Sequence, residues 1–97
     1  DGWWIGNFTP TLFRTTQVEV GHKQHQKGED YPAHYQRTAW EFNLLLKGRL
    51  QINQQRFRAG DCFAVPPCVI VKPIFLEDCE VVVVKMPSCP SDKVVVK

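Results

Sequence analysis

The chain has no long apolar run, since its longest stretches of apolar residues contain only four residues, as in residues 81–84. A transmembrane helix needs about 20 such residues, so none is expected. The first residues do not combine a basic segment with an apolar one, so no secretory signal peptide is expected either. Apolar residues at helical spacing are also missing, and helices should contribute little to the fold.

Neither positive nor negative charge strongly predominates. The 12 basic and 10 acidic residues give a net charge of +2 and are spread along all 97 residues. The densest basic stretch, residues 56–58, is too small for a nucleic-acid footprint, so we expect neither nucleic acid nor membrane as a partner. A hydrophobic content of 43% and a charged content of 23% are typical of a globular protein, and the length predicts a single domain over residues 1–97.

Cysteines are few and lack metal-site spacing. The four are Cys62, Cys68, Cys79 and Cys89, at successive spacings of 6, 11 and 10 residues, with no Cys-x-x-Cys pair. An even count is compatible with two disulfides, but the density is well below that of a disulfide scaffold. Cys62 and Cys79 lie in apolar strand patterns, where a free Cys packs as a small hydrophobic residue. We therefore predict free thiols and a cytoplasmic location.

Short strand patterns recur along the chain, separated by Gly, Pro, Asn or Asp. The predicted strands cover residues 2–8, 11–15, 18–22, 39–46, 50–53, 56–58, 62–65, 69–75, 81–85 and 94–96. Short strands with turn signals at regular intervals predict an all-β sandwich or barrel. Residues 24–33 are the longest predicted loop, which is where a small barrel tends to carry its function.

One segment carries most of the functional information. Five residues separate Gly28 from His34, and Gln36 stands two positions after that histidine. Four residues then lead to Glu41, and six more lead to Gly48. The pattern resembles the first signature of the cupin superfamily, in which Gly, His, His, Glu and Gly follow at these spacings. Gln36 stands where that signature has its second His.

A second segment resembles the second cupin signature in part. Gly60 and Pro66 match it, whereas Cys68, Val71 and Phe75 replace the Gly, His and Asn of the family. The resemblance covers most of the chain. It implies an all-β double-stranded β-helix, the jelly-roll barrel of a small stand-alone bacterial-type cupin.

The resemblance also implies a site inside the barrel. Residues i and i+2 of a strand point to the same side, so His34 and Gln36 point together, and the resemblance turns both of them and Glu41 inward. A buried carboxylate needs a partner, which His34 or Lys72 could supply. The candidate ligand-binding residues are His34, Gln36, Glu41, Asn43, Val71 and Phe75.

In typical cupins this region holds Fe, Mn, Ni or Zn, because three imidazoles and one carboxylate suit divalent transition metals. Here His34 offers one imidazole, Glu41 one carboxylate and Gln36 a weakly donating amide, while Val71 offers nothing. We therefore expect a degenerate metal site and no cofactor. A divalent Zn, Ni, Fe or Mn ion held by His34, Gln36 and Glu41 is the alternative.

Two functions remain open at this point. The first is a cupin barrel that binds a small polar or carbohydrate-like ligand without a full metal site. The second is a metal-dependent cupin enzyme, such as an isomerase, epimerase or dioxygenase, with a divergent His/Gln/Glu site. Which residues would be catalytic is unknown from the sequence.

The chain ends and the remaining His and Trp side chains are expected to have structural roles. The apolar ends of the chain, residues 2–8 and 94–96, predict a homodimer, because exposed apolar strands invite pairing. We expect His22 and His25 at the surface. The tryptophans should pack in the core or at a dimer surface; they are Trp3, Trp4 and Trp40.

Overall fold

The computed structural model describes residues 2–97, which form ten strands and no helix. The strands are β1 (Trp3–Ile5), β2 (Glu19–His25), β3 (His34–Gln36), β4 (Trp40–Lys47), β5 (Arg49–Ile52), β6 (Gln55–Arg58), β7 (Cys62–Val65), β8 (Pro73–Phe75), β9 (Cys79–Met86) and β10 (Lys93–Val95). The predicted all-β class is confirmed. No helix able to cross a membrane occurs in this part of the chain.

The strands assemble into three antiparallel sheets. The largest has the order β1-β2-β9-β4-β7, a second has the order β6-β5-β8, and β10 pairs with β3. Strands that are distant in the chain, such as β2 and β9, become neighbours. This winding of strands from both halves of the chain into facing sheets is the double-stranded β-helix.

The barrel interior changes from apolar to polar along the central strands β4 and β9. At one end Leu45 lies opposite Val81, and both are buried in the core with Leu50 and Phe75. Two residues further along each strand, Asn43 lies opposite Val83, and the next inward pair is Glu41 and Lys85. Because inward positions recur every second residue, this alternation leaves one end of the barrel dry and the other polar. The polar end is where a site can form.

A glycine closes the turn between β4 and β5. Gly48 has a φ of 88°, and a Cβ built on it would lie 2.2 Å from the main-chain oxygen of Asp78. Only glycine fits such a position, as the turn signal at this point of the sequence predicted.

Three predicted strands are shorter than expected or absent, and β3 was not predicted. Of residues 2–8, only Trp3–Ile5 forms a strand. Residues 11–15 form no strand, and Phe13 makes only an isolated bridge to Ile5. Residues 69–75 contribute only β8 at their end, because Cys68, just before them, has a positive φ of 68° that breaks the extended chain. Conversely, β2 runs into the predicted loop, since Gln24 and His25 pair with β9.

All four cysteines are free, as predicted. Cys79 is buried, and burial is the main reason that the pKa of its thiol is raised. This thiol therefore packs as part of the core rather than reacting as a nucleophile.

A buried carboxylate ties the C-terminal segment to the start of β4. Asp92 is 3% exposed, and its oxygens accept the N–H groups of Thr38 at 2.9 and 3.0 Å and of Ala39 at 2.9 Å. Burial opposes ionisation of this group, but the hydrogen bonds outweigh it and lower the pKa of Asp92. The native state therefore holds the carboxylate ionised.

We predict that Asp92→Asn lowers the free energy of unfolding by about 2 kcal/mol at pH 7, because the neutral amide loses the charge that strengthens these hydrogen bonds and turns its NH₂ group toward an N–H donor. Chemical denaturation measures this change. The native pKa of Asp92 lies below the unfolded value, so the contribution is present above that unfolded value and disappears as the pH falls through the native pKa. Asp30→Asn, at a fully exposed carboxylate, is the control and should change stability by less than about 0.5 kcal/mol. Equal effects of the two substitutions would contradict the prediction.

Candidate functional site

The polar end of the barrel contains a cavity of about 80 Å³. Side chains from strands of all three sheets line it. Five of the six candidate residues from the sequence are among them, namely His34, Gln36, Glu41, Asn43 and Phe75. The structure therefore brings together residues from β3, β4 and β8 around one space.

Val71, the sixth candidate, is not among the lining residues. It forms an isolated bridge with His34, in which each main-chain N–H donates to the carbonyl of the other residue at 3.0 and 2.9 Å. Its side chain is buried, with 5% of the residue exposed. Val71 thus positions His34 through the backbone.

His34 presents a neutral imidazole to the cavity. The residue is 5% exposed, and its Nδ1 donates to the carbonyl oxygen of Pro32 at 3.0 Å, which leaves Nε2 as an acceptor. Burial lowers the pKa of His34, and the positive charges of Lys93 and Lys85 lower it further. The Pro32 carbonyl and the Glu41 carboxylate oppose this shift without reversing it.

Gln36 is the anomaly of the site. The residue is 4% exposed, and within residues 2–97 neither its Oε1 nor its Nε2 has a hydrogen-bond partner. Each buried polar group without a partner costs about 1–3 kcal/mol, so native proteins rarely retain one. The amide of Gln36 faces the cavity, where its Nε2 can donate a hydrogen bond and its Oε1 can accept one.

Glu41 is held by its neighbour on the same face of β4. The amide nitrogen of Asn43 donates to Glu41 Oε2 at 3.1 Å. The suggestion that Lys72 is the partner of Glu41 is wrong. Lys72 instead donates to Asp30 Oδ1 at 3.4 Å and to the main-chain oxygen of Tyr31.

His25 also lines the cavity, so the prediction of a surface histidine is wrong for this residue. Its side chain is 12% exposed, its ring stacks on Phe75 with centroids 4.2 Å apart, and its Nδ1 lies 2.9 Å from Glu29 Oε2. The error arose because the sequence pattern ended β2 at residue 22. His22 lies on the outer face of that strand and is half-buried.

Sequence reasoning missed the lysines of the cavity. Lys23, Lys85 and Lys93 all line it, beside the aromatic rings of Trp3 and Tyr31. The sequence could have placed Lys85 in the cavity, because Lys85 continues the inward alternation of the core valines in β9. The sequence could not have placed Lys93 there, because its position follows from the pairing of β10 with β3.

The donor groups of the cavity do not fit a transition metal. Among residues 2–97 no three His, Cys, Asp or Glu side chains are grouped to hold a metal ion. His34 and Glu41 are the imidazole and carboxylate at the positions of the first signature, and the amide of Gln36 is a weak neutral donor. The other imidazole of the cavity, His25, stacks on Phe75, and its Nδ1 lies 2.9 Å from Glu29 Oε2. His34 and Glu41 alone are too few donors for the four-coordinate sites that such ions prefer.

Comparisons of the whole fold place the chain among known barrels, although no protein-family model and no curated relative matches its sequence. A conserved protein with a double-stranded β-helix domain from Klebsiella pneumoniae superposes with a TM-score of 0.74 at 16% identity, over 86% of this chain and 77% of that one. An RmlC-like cupin from Methanocaldococcus jannaschii gives a TM-score of 0.65 at 26% identity, over 76% and 73% of the two chains.

A third similar structure is that of an enzyme. Pac13 from Streptomyces, described as a nucleoside dehydratase, superposes with a TM-score of 0.72 at 16% identity, over 86% of this chain and 71% of that one. The fold and these similarities define a double-stranded β-helix protein. The fold of the chain is that of small proteins of the cupin superfamily.

We predict that His34 titrates with a pKa below its usual value of 6.5, because burial and the two lysines disfavour the imidazolium. An NMR titration of the ring protons measures the midpoint, and a midpoint above 6.5 would contradict the electrostatic description of the site.

The lowered pKa of His34 should also make the free energy of unfolding depend on pH. As the pH falls through about 6.5, the unfolded chain takes up a proton at this position before the native state does. The native state should therefore lose stability until the pH passes the lower native pKa. His34→Gln should remove that part of the pH dependence, as measured by chemical denaturation between pH 8 and pH 5.

Proposed function

We propose that this protein binds a small polar or carbohydrate-like molecule in the barrel cavity without a transition metal. The observation that carries the proposal is Gln36, a buried amide with no partner in the protein that faces a cavity. Because such a group costs stability, its retention favours a role in binding. The inner cavity of about 80 Å³ can take part of such a molecule, and the adjoining outer space of about 710 Å³, which shares Trp3 and Tyr31 with it, is large enough for the rest.

The polar groups suit a molecule with several hydroxyl groups. A hydroxyl can donate to Nε2 of His34 and accept from Nε2 of Gln36, because each hydroxyl both donates and accepts. Glu41 adds a carboxylate acceptor, oriented by Asn43. This combination of one neutral acceptor, one amide and one carboxylate supports a polyol or a sugar derivative as the ligand class.

The second candidate is an enzyme, and the similarity to Pac13 favours it, because a related fold performs catalysis there. Elemental analysis of protein purified without an affinity tag separates the two candidates. A stoichiometric Zn, Ni, Fe or Mn ion would favour the metal-dependent isomerase, epimerase or dioxygenase. A protein without such a metal that is stabilised by sugars or sugar acids would favour the binding protein.

We predict that Gln36→Met raises the free energy of unfolding of the free protein by about 1 kcal/mol, because it replaces two unpaired polar groups with an apolar side chain of similar size. The same substitution should abolish the rise in the unfolding temperature produced by millimolar glucose, sorbitol or gluconate. Gln55→Met, at an exposed position of β6, is the matched control and should leave both properties unchanged. Unchanged binding by Gln36→Met would overturn the proposed site.

We also infer a homodimer formed through the outer face of the five-stranded sheet. Four outward residues of β4 are exposed, with Trp40 at 45%, Phe42 at 39%, Leu44 at 36% and Leu46 at 47%. Their outward neighbours Val82, Val84 and Met86 of β9 are apolar as well. A monomer rarely exposes a continuous apolar face of this kind.

A second copy of this chain is the partner that the face fits best. Its central positions on β4 and β9 carry no charge, so two copies can meet across a twofold axis without like-charge repulsion. The terminal strand β1, which the sequence singled out, lies at the edge of the same sheet and adds the exposed Trp4. The four free thiols support a reducing compartment, and we propose a cytoplasmic location on that ground.

We predict that Phe42→Glu converts the dimer into a monomer, because it buries a charge on each side of the twofold contact. Light scattering at micromolar concentration should change from about twice the 11.2 kDa of the chain to that single mass. Ile74→Glu, at an exposed apolar residue of the β6-β5-β8 sheet, is the control and should leave the mass unchanged. A parent protein that is already monomeric would refute the dimer.

A further inference from the structure

We propose that the molecule bound in this cavity presents two hydroxyl groups on adjacent carbon atoms to the side chain of Gln36. This hydroxyl pair belongs to the ligand of the proposed small-molecule site, so the inference rests on that function and adds the arrangement of the ligand's hydroxyl groups. It follows from the two unpaired atoms of one buried amide and from the polar groups around it, which are bonded elsewhere.

The backbone of Gln36 is fixed on both sides. On one side β3 pairs with β10, where Lys93 is the cross-strand partner of Gln36. On the other side the carbonyl of Gln36 accepts the N–H of Cys68 at 2.7 Å, and His34 exchanges two hydrogen bonds with Val71. The residue is 4% exposed and lines the cavity, so its amide is directed into the barrel rather than to the solvent.

The other polar groups of the cavity do not serve as partners of this amide. The imidazole of His34 donates to a main-chain carbonyl at 3.0 Å, and the ammonium of Lys93 donates to the hydroxyl of Tyr31 at 2.8 Å. The amide of Asn43 donates to a carboxylate oxygen at 3.1 Å. Within residues 2–97, Oε1 and Nε2 of Gln36 have no partner, so their partners come from a molecule in the cavity.

The chemistry of the amide specifies these partners. Its oxygen needs a hydrogen-bond donor and its nitrogen needs an acceptor. Because both atoms belong to one small planar group, the donor and the acceptor lie side by side. Two hydroxyl groups on adjacent carbon atoms meet this requirement, since one can donate to Oε1 while the other accepts from Nε2. The requirement is the same for either orientation of the amide, because turning it over only exchanges the two hydroxyl roles.

Other small polar groups fit less completely. A carboxylate has no donor and leaves Oε1 unpaired, an ammonium has no acceptor and leaves Nε2 unpaired, and a lone hydroxyl aligns well with only one of the two atoms. A lactam, which carries N–H and C=O on one edge, pairs with both atoms of Gln36. It then has no donor left for Nε2 of His34, which lies two residues away on the same face of β3. A polyol has a hydroxyl on each carbon and can serve both residues.

Calorimetric titration with glucose and its deoxy analogues, each of which lacks one hydroxyl, tests the inference. Removal of either member of one adjacent hydroxyl pair should weaken binding about tenfold, because each removal leaves one atom of the buried amide unpaired again. If sorbitol binds and glucose does not, the deoxy analogues of sorbitol take their place. Losses at isolated positions alone, with no adjacent pair among them, would show that the inference is wrong while the binding function stands.

The side-chain amide of Gln36 gives a second readout by NMR. Its Nε2 protons are the side-chain amide signals that disappear in the spectrum of Gln36→Met. Saturating glucose should shift these signals and slow their exchange with water, whereas the corresponding signals of Gln55, at an exposed position of β6, are the control and should not move. If glucose binds and the Gln36 signals stay unchanged, water rather than the ligand pairs with the amide and the inference is overturned.

Two further probes separate the alternatives. The compound δ-valerolactam should bind more weakly than glucose. If it binds more tightly and Gln36→Met abolishes that binding, Gln36 recognises amides and not a hydroxyl pair. Binding of gluconate without binding of glucose or sorbitol would assign the recognition to a carboxylate, and it would also overturn the inference. If glucose, sorbitol, gluconate and the lactam all fail to bind, the proposed function and the inference fail together.

Discussion

The pairing of β4 with β9 at the centre of the five-stranded sheet is the constraint on which the rest of the structure depends. These two strands run antiparallel with Leu45 opposite Val81 and Glu41 opposite Lys85. The apolar pair anchors the core, and the charged pair lies at the open end, four residues away along each strand. A slip of one residue would turn both pairs to the outer face, so the same register that buries the core also builds the site.

The same alternation separates the cavity from the apolar outer face that we propose as a dimer contact. Odd-numbered positions of β4 face the cavity with Glu41 and Asn43, and even-numbered positions carry the apolar outer face with Phe42 and Leu44. A dimer on the outer face therefore leaves the cavity mouth open. Because both surfaces belong to β4, the proposed dimer contact lies directly behind Glu41 and Asn43.

The site shows how stability and binding oppose each other in a small barrel. An apolar residue in place of Gln36 would fill the same space without leaving polar atoms unpaired. The lysines at the mouth help to keep the imidazole of His34 neutral, because their positive charges disfavour its protonation. A ligand with hydroxyl groups would remove the cost of the unpaired amide by forming hydrogen bonds with it.

The residue pattern alone was enough to predict the all-β class, the turn at Gly48 and the common side of His34 and Gln36, which the resemblance to cupins turned inward. These follow from local rules, because side chains alternate along a strand and a positive φ selects glycine. The pairing of distant strands, in contrast, places Lys93 beside Gln36, stacks His25 on Phe75 and keeps Val71 out of the cavity. Those contacts join strands that are far apart in the chain, and a local pattern does not specify which distant strand becomes a neighbour or in what register.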